Sequence, residues 1–367
     1  MDNNILAFFE LVRAGLWAKE ARLSQFNNIN YANILQLAEE QSVVGLVTAG
    51  LEHIDVRGQK EDVRCRPSQD MMLQFVGETL QIEQQNKDMN AYLARLIERL
   101  RKEDVYAVLV KGQGTAQCYE KPLWRSSGDI DLLLSDTNYE KAKQTLMPLA
   151  VSVDKEYTSF KHLGMTMEGG FVVELHGTMH SRLSKRVDNV VDIAQRDIFF
   201  GGNVRSWQNG STTVFLPAPN HDVIFVFTHI LHHYYIEGIG LRQISDWCRL
   251  LYTYKESLNH GLLESRIKKA GLMSEWKAFA ALAVNWLGMP AESMPLYSPE
   301  KKWSRKAERI VEFVLECGNF GHNRQAAAGK ISSAWYKMQD FARHSCVFPR
   351  DSVKFFFHFL GDGIKLV

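Results

Sequence analysis

Apolar residues recur at three- and four-residue intervals through most of the first hundred positions, in NILAFFELVRAGLW, YANILQLAEEQSVVGLVTAGL and DMMLQFVGETLQIEQQNKDMNAYLARLIERLRK. That spacing lines one face of a helix, so residues 1–100 are predicted to be a helical N-terminal region. The polar stretch HIDVRGQKEDVRCRPSQD reads as a loop. From residue 105 the period shortens. VYAVLVK and DIDLLL read as strands, and TNYEKAKQTLMPLA after them has helical spacing with Asp136 as its expected N-terminal cap. TSFKHLGMTM and FVVELHG, separated by EGG, read as two strands joined by a tight turn. This mixed core is expected to last to about residue 178. Beyond it, SKRVDNVVDIAQRDIFF suggests a helix or an irregular connection, and GGNVRSWQNGSTTVFLPAPN a short hairpin closing on two prolines. Helical spacing returns from Asn220, most clearly in HDVIFVFTHILHHYY and LRQISDWCRLLYTYK, and GMPAESMPLYSPEKK is the best candidate linker. The expected fold class is α+β. A small mixed β-sheet over residues 101–218 is flanked by helical regions at 1–100 and 219–367, with a cleft between sheet and helices.

The least ordinary stretch is KGQGTAQCYEKPLWRSSGDIDLLL, residues 111–134. Alternate side chains on a strand share a face, so Asp129 and Asp131 are expected to point one way and Ile130, Leu132 and Leu134 the other. The same alternation in FVVELHG groups Glu174 with Val172 and His176, against Val173 and Leu175. If the two strands are neighbours, three carboxylates converge. Two like charges about 4 Å apart repel by about 4 kcal/mol at an effective dielectric near 20, so a proton or a cation must join them. A shared proton would serve an acid/base pair. Three hard oxygen donors, with no cysteine or clustered imidazole among them, suit Mg2+ or Mn2+. Two such ions would clamp the attacking and leaving oxygens of a phosphoryl displacement. Upstream, VLVKGQG runs from an apolar strand into Gly112 and Gly114, where backbone N–H groups can approach a triphosphate. A helix over TAQCYE would aim its N-terminus at the same anion. Lys111 and Arg125 are the nearby cations, and Ser127 is a further phosphate-side candidate, although Ser126 and Ser127 also suit a turn.

Composition narrows the class. A formal net charge of +1 over 367 residues argues against a protein that coats nucleic acid by bulk electrostatics, although it leaves room for a local basic groove. Cys65, Cys118, Cys248, Cys317 and Cys346 are scattered and lack any CxxC spacing, which disfavours a disulfide framework or a structural zinc site. The opening MDNNILAFFELVRAGLW lacks the basic start and clean apolar segment of a signal peptide, and no apolar run reaches membrane-spanning length, so a cytoplasmic protein is expected.

The order of apolar strand, glycine turn, Asp-x-Asp and a later strand carboxylate resembles the DNA polymerase β-like nucleotidyltransferase superfamily. More closely, LVKG…RSSGDIDLLL, then VVELHG, then LHHYYIEGIGLRQISDWCRLL, is similar to the bacterial family of uncharacterised nucleotidyltransferases, over roughly residues 70–255. The resemblance implies that Asp129 and Asp131 bind both metal ions, that Glu174 binds the catalytic ion and acts on the incoming hydroxyl, and that Gly112 and its neighbours hold nucleotide phosphates. It implies a nucleoside triphosphate as substrate. The acceptor stays open between a small molecule, a protein side chain and an RNA end, of which the near-neutral charge and the absence of a basic, aromatic-interleaved stripe make RNA the least supported. This chain departs from the pattern in three ways: Gln113 follows Gly112 where many members have Gly-Ser, Asp129 lies seventeen positions beyond Gly112, and the third acid is Glu.

Other readings stay open. The fold could serve a non-catalytic nucleotide-binding or scaffold protein. His229, His232 and His233 at helical spacing, followed by Asp246, faintly resemble the His-Asp metal phosphohydrolases, although the same helix carries Ile224, Phe225, Phe227, Ile230 and Leu231. Arg242 and Asp246 stand four apart and suit a pair on one helical face. His176 reads either as a substrate contact or as a hydrogen-bonded structural residue. The aromatic stripe of VKFFFHFLGDGIKLV suits a membrane surface, the helical body or a second subunit.

Overall fold

The computed structural model describes residues 2–54, 66–158, 160–319 and 330–355, so the terminal aromatic stripe from residue 356 onward lies outside the described residues. The N-terminal pattern folds as expected into helices α1 (Asn3–Trp17), α2 (Tyr31–Glu40), α3 (Val44–Glu52) and the long α4 (Gln69–Lys102). YANILQLAEEQSVVGLVTAGL is two helices, because Ser42 takes a left-handed backbone (φ 55°) and breaks the run. Asn30 caps α2 by accepting from the amides of Ala32 and Asn33, and Ser68 caps α4 through Met71.

Strand β1 (Val108–Val110) leads through the short helix α5 (Gly112–Ala116) to β2 (Ile130–Leu133), α6 (Asp136–Leu146), β3 (Ala150–Val153), β4 (His162–Met167) and β5 (Val172–His176). Then come α7 (Lys185–Gly201) and the hairpin β6 (Val204–Asn209) and β7 (Thr212–Pro217). The seven strands form one mixed sheet ordered β3-β4-β5-β2-β1-β7-β6, with β2–β5 and β1–β7 parallel and the other pairs antiparallel.

Four local expectations need correction. The mixed core does not stop near residue 178 with a separate hairpin after it: the β6–β7 hairpin joins the same sheet, its inner strand beside β1. Strand β3 escaped the pattern because it is a solvent-facing edge strand, with Val151 and Val153 exposed. Asp136 is not the cap of α6: Ser135 stands there, and Asp136 opens the helix, where its charge favours the N-terminal dipole. The helix placed over TAQCYE begins earlier, at Gly112, and stops at Ala116.

The sheet has two different faces. Leu109, Ile130, Leu132, Leu134, Val173 and Leu175 pack in one cluster with apolar residues of α4 and α6. Val108, Val110 and Leu133 turn the other way and join the larger helical core. That core contains helices α8 (Pro219–Ile236), α9 (Leu241–Thr253), α10 (His260–Ala270), α11 (Met273–Asn285) and α12 (Lys301–Cys317), and α13 (Lys330–Val347) packs nearby. Residues from α1 to α3 belong to it as well: the Phe9 ring packs at a tilt against Trp286 (5.1 Å between centroids), and the Trp17 indole donates to the carbonyl of Leu287. The two helical flanks thus share one interior. The proline-rich stretch read as a linker is packed into it, with Met289 and Met294 buried and Trp276 donating to Pro295 O at 2.8 Å.

One buried acid makes stability depend on pH. Glu275 on α11 is fully enclosed; burial, then the charge of Asp351, raise its pKa from 4.5 to about 8. The folded state therefore holds a proton that the unfolded chain has released. Stability from this group is complete below pH 4.5 and is lost as pH rises toward 8, at a limiting slope of about 1.4 kcal/mol per pH unit. Glu275→Gln is expected to remove this slope, so urea unfolding at pH 8.5 should show the variant more stable than the parent, and at pH 5 nearly equal to it.

Candidate active site

The register of β2 against β5 sets Asp131 directly beside Glu174 and Leu133 beside His176. Asp131 shares the helix-facing side of the sheet with Leu133, and Glu174 and His176 alternate onto that side with it. The next strand completes the group: β4 pairs His162 with His176 and Gly164 with Glu174. A side chain on Gly164 would meet the Asp154 carboxylate at 2.4 Å, so only glycine leaves that carboxylate its place above the strand.

The side chains form a closed network. His176 Nε2 lies 2.8 Å from Asp131 Oδ1 and 3.3 Å from Glu174 Oε2, while His162 Nε2 lies 3.2 Å from the same Glu174 oxygen. Lys111 Nζ sits 2.9 Å from Asp131 Oδ1. Two carboxylates of neighbouring strands therefore share one imidazole nitrogen. Burial works against the charge on Glu174, but hydrogen bonds from His162 and His176 outweigh it and hold its pKa far below the usual range. Burial likewise opposes a charged His176, yet its bonds to Asp131 and Glu174 raise its pKa. Asp129, just before β2, stays accessible at the mouth. Lost hydration around its carboxyl, then the charges of Glu174 and Asp131, push its pKa up to about 6.

The glycine turn closes the network from the side. Lys111 has φ 58° and ψ −150°, a region occupied almost only by glycine, and Gly112 follows at φ 44° with Asp129 O nearby. Such a backbone costs on the order of 1–3 kcal/mol and persists where the surroundings enforce it. Here the Lys111 carbonyl accepts from Gly114 and Thr115 while its ammonium is held on Asp131. Gly114 therefore points away from the cradle expected of it. Its amide is bonded within the turn, and its Cα faces Leu216, where an added Cβ would come within 2.7 Å. Gln113, where the family pattern often has serine, is a buried clamp: it donates to Asn86 Oδ1 at 2.9 Å, and Asn86 donates to the carbonyls of Leu123 and Arg125.

Arg125 does not face this site as a cation for phosphate. It is buried and makes a two-point pair with Asp246, both bonds at 2.7 Å, and Tyr119 donates to the same carboxylate. The suggested Arg242–Asp246 pair gives way to this arrangement. Arg242 instead reaches from α9 to the carbonyls of Ser126 and Ser127, 3.3 and 3.1 Å away, and borders Gly128. Burial, then the charge of Arg125, lower its pKa to about 10. Ser127 thus lies in the loop that leads to Asp129, with its carbonyl fastened to α9.

On α8, His229 and His233 meet at 2.9 Å, His233 Nδ1 lies 2.8 Å from Glu237, and His232 contacts Ser181 O. Asp246 is held by Arg125 and Tyr119. The His-Asp ligand set of the phosphohydrolase reading is therefore not assembled among the described residues, where His162, Glu174 and His176 are the group within reach of a single metal ion.

The expectation of a site without clustered imidazole is overturned by these two histidines. His162 was missed, although its signal was present: once EGG is read as the turn, antiparallel pairing puts the His of KHLGM opposite the His of VELHG. The donor set of carboxylates and imidazoles in one half-buried group fits a divalent ion. Among the described residues no helix is long and apolar enough to cross a membrane. A family model described as "Uncharacterised nucleotidyltransferase" matches residues 27–288, a wider span than the 70–255 over which the motifs carry the resemblance. Among curated proteins and among solved structures, none matches this chain.

Proposed function

The chain belongs to the uncharacterised nucleotidyltransferase family, and from that premise we propose that it is a cytoplasmic, divalent-metal-dependent enzyme moving a nucleoside monophosphate from a nucleoside triphosphate to a hydroxyl. The observation that carries this reading is the pairing of Asp131 with Glu174 on adjacent parallel strands, beside the strained turn at Lys111 and Gly112. Asp129, Asp131 and Glu174 would hold Mg2+ or Mn2+, which when bound neutralises charge on the phosphates and polarises the reacting phosphoryl group.

The chain's own residues have separate tasks. Gly112 leaves room for phosphate oxygens against the backbone, and Lys111 offsets charge on the departing pyrophosphate. Glu174 Oε2 takes both imidazoles, so Oε1 is the oxygen that would accept a hydrogen bond from the acceptor hydroxyl and orient it. In the transfer, that hydroxyl releases its proton by way of Glu174 Oε1 to solvent as its oxygen bonds to the α-phosphorus, the bond from the α-phosphorus to its bridging oxygen breaks, and pyrophosphate leaves. Arg242, with Arg125 through Ser126 O, steadies the loop before Asp129. A small molecule or a protein side chain suits the near-neutral surface better than a nucleic acid end.

The direct test incubates the full chain with each α-labelled triphosphate and Mg2+ or Mn2+. Pyrophosphate release with label appearing on an acceptor supports the reading. Nucleotide binding without turnover, across all four bases and both ions, would establish the non-catalytic alternative.

A further inference from the structure

We propose that His162, Glu174 and His176 form a nitrogen-bearing site for a divalent transition ion, Mn2+ or Zn2+, and that the carboxylate face takes this class of ion in preference to Mg2+. The inference rests on the metal-dependent reading above and names its metal.

The three ligand atoms lie within 4.8 Å of one another, and both imidazole Nε2 atoms converge on the single oxygen Glu174 Oε2, at 3.2 and 3.3 Å. Charge-assisted N–H···O bonds run to about 2.7–2.9 Å. Donors held at 2.0–2.2 Å from one ion in a tetrahedral shell are about 3.4 Å apart. The 3.2 and 3.3 Å contacts, which serve as hydrogen bonds between the side chains, also match two edges of such a shell, and the two imidazole nitrogens lie within 4.8 Å of each other, so a small closing movement would let all three reach one ion. Asp131 is then the adjacent carboxylate that borders the shell.

The group is also preorganised. His162 and His176 are register partners on strands joined by a four-residue turn, and the rings stand 4.8 Å apart at 39°. All three residues are half-buried, which leaves an approach for an ion. Donor chemistry then selects the ion: Mg2+ sheds its water reluctantly and takes oxygen ligands, whereas imidazole suits Mn2+, Zn2+ and their neighbours.

The experiment loads the full chain with MnCl2 alone and records pulsed EPR for nitrogen coupling from coordinated imidazole, with Zn2+ affinity measured in parallel by calorimetry. The expected result is a directly coordinated nitrogen signal that weakens in His162→Ala and disappears when His176→Ala is added. Zn2+ affinity should fall at least about tenfold in each single variant. Thermal melts without metal check that the variants fold, and His162→Asn or His176→Asn serves in place of the alanine variant at the same position if that one does not. Bound Mn2+ with oxygen-only coupling, or Zn2+ affinity unchanged in both single variants, overturns the proposal. Triphosphate turnover supported by Mn2+ without nitrogen coupling would defeat this inference and leave the transfer reading standing. Nitrogen-coupled Mn2+ without any turnover would do the reverse.

Discussion

Asp131→Asn should reduce metal-dependent pyrophosphate release about 10³-fold, equivalent to about 4 kcal/mol of transition-state stabilisation. The substitution keeps the shape of the side chain and one acceptor oxygen, so contacts with His176 or Lys111 at 2.8 and 2.9 Å survive in part. It removes the negative charge. An amide bound to two cationic neighbours no longer attracts a divalent ion, and the ammonium of Lys111 is left without its counter-charge. The loss should therefore appear in the chemical step and in the ion concentration needed for half-maximal rate, with near-UV circular dichroism unchanged. Turnover within about threefold of the parent, at ion concentrations that saturate both, would exclude Asp131 from the ion-binding role.

The second large effect falls on stability. Asp246→Ala should destabilise the fold by about 3–5 kcal/mol, because it removes the partner of a buried guanidinium. Arg125 is 7% exposed, and Asp246 supplies both of its 2.7 Å bonds and accepts from the buried Tyr119. Urea unfolding measures the loss. The companion Asp246→Leu/Arg125→Met chain, which buries no charge, should recover most of it, since apolar replacements of a buried pair are often neutral or better. An Asp246→Ala chain as stable as the parent but unable to act on nucleotides would instead make Asp246 part of the chemistry.

Much of the site was legible because strand alternation is strict. DIDLLL and FVVELHG each sort their acids to one face, and the structure only had to make the two strands neighbours, which it does with Asp131 opposite Glu174. Pairing between strands was less legible. Nothing local in GGNVRSWQNGSTTVFLPAPN says that its second strand will lie parallel to β1, since that contact depends on chain distant in sequence. Strand β3 was invisible because an edge strand facing water needs no apolar alternation. Charge partners were the hardest. Arg125 was read as a cation for phosphate and Arg242 as the partner of Asp246, and the fold exchanged them: the enclosed Arg125 needed the carboxylate, while Arg242 found carbonyls at the loop. Gln113 looked like a defect in a phosphate cradle and is a structural clamp, because its amide meets Asn86 across a helix that the local sequence cannot position.

The shared interior of the first and last helices governs when the molecule can finish assembling. Trp17 cannot find Leu287, nor Gln41 the backbone of Leu241 and Val314, until about 200 to 270 further residues have been synthesised. The β2–β5 pair needs only a short loop of chain and can form long before that. During translation the acid-bearing strands would therefore stand half-covered, with the apolar sides of α1 to α3 waiting for their partners. Final packing of α1 to α3 thus waits until α12 has been made.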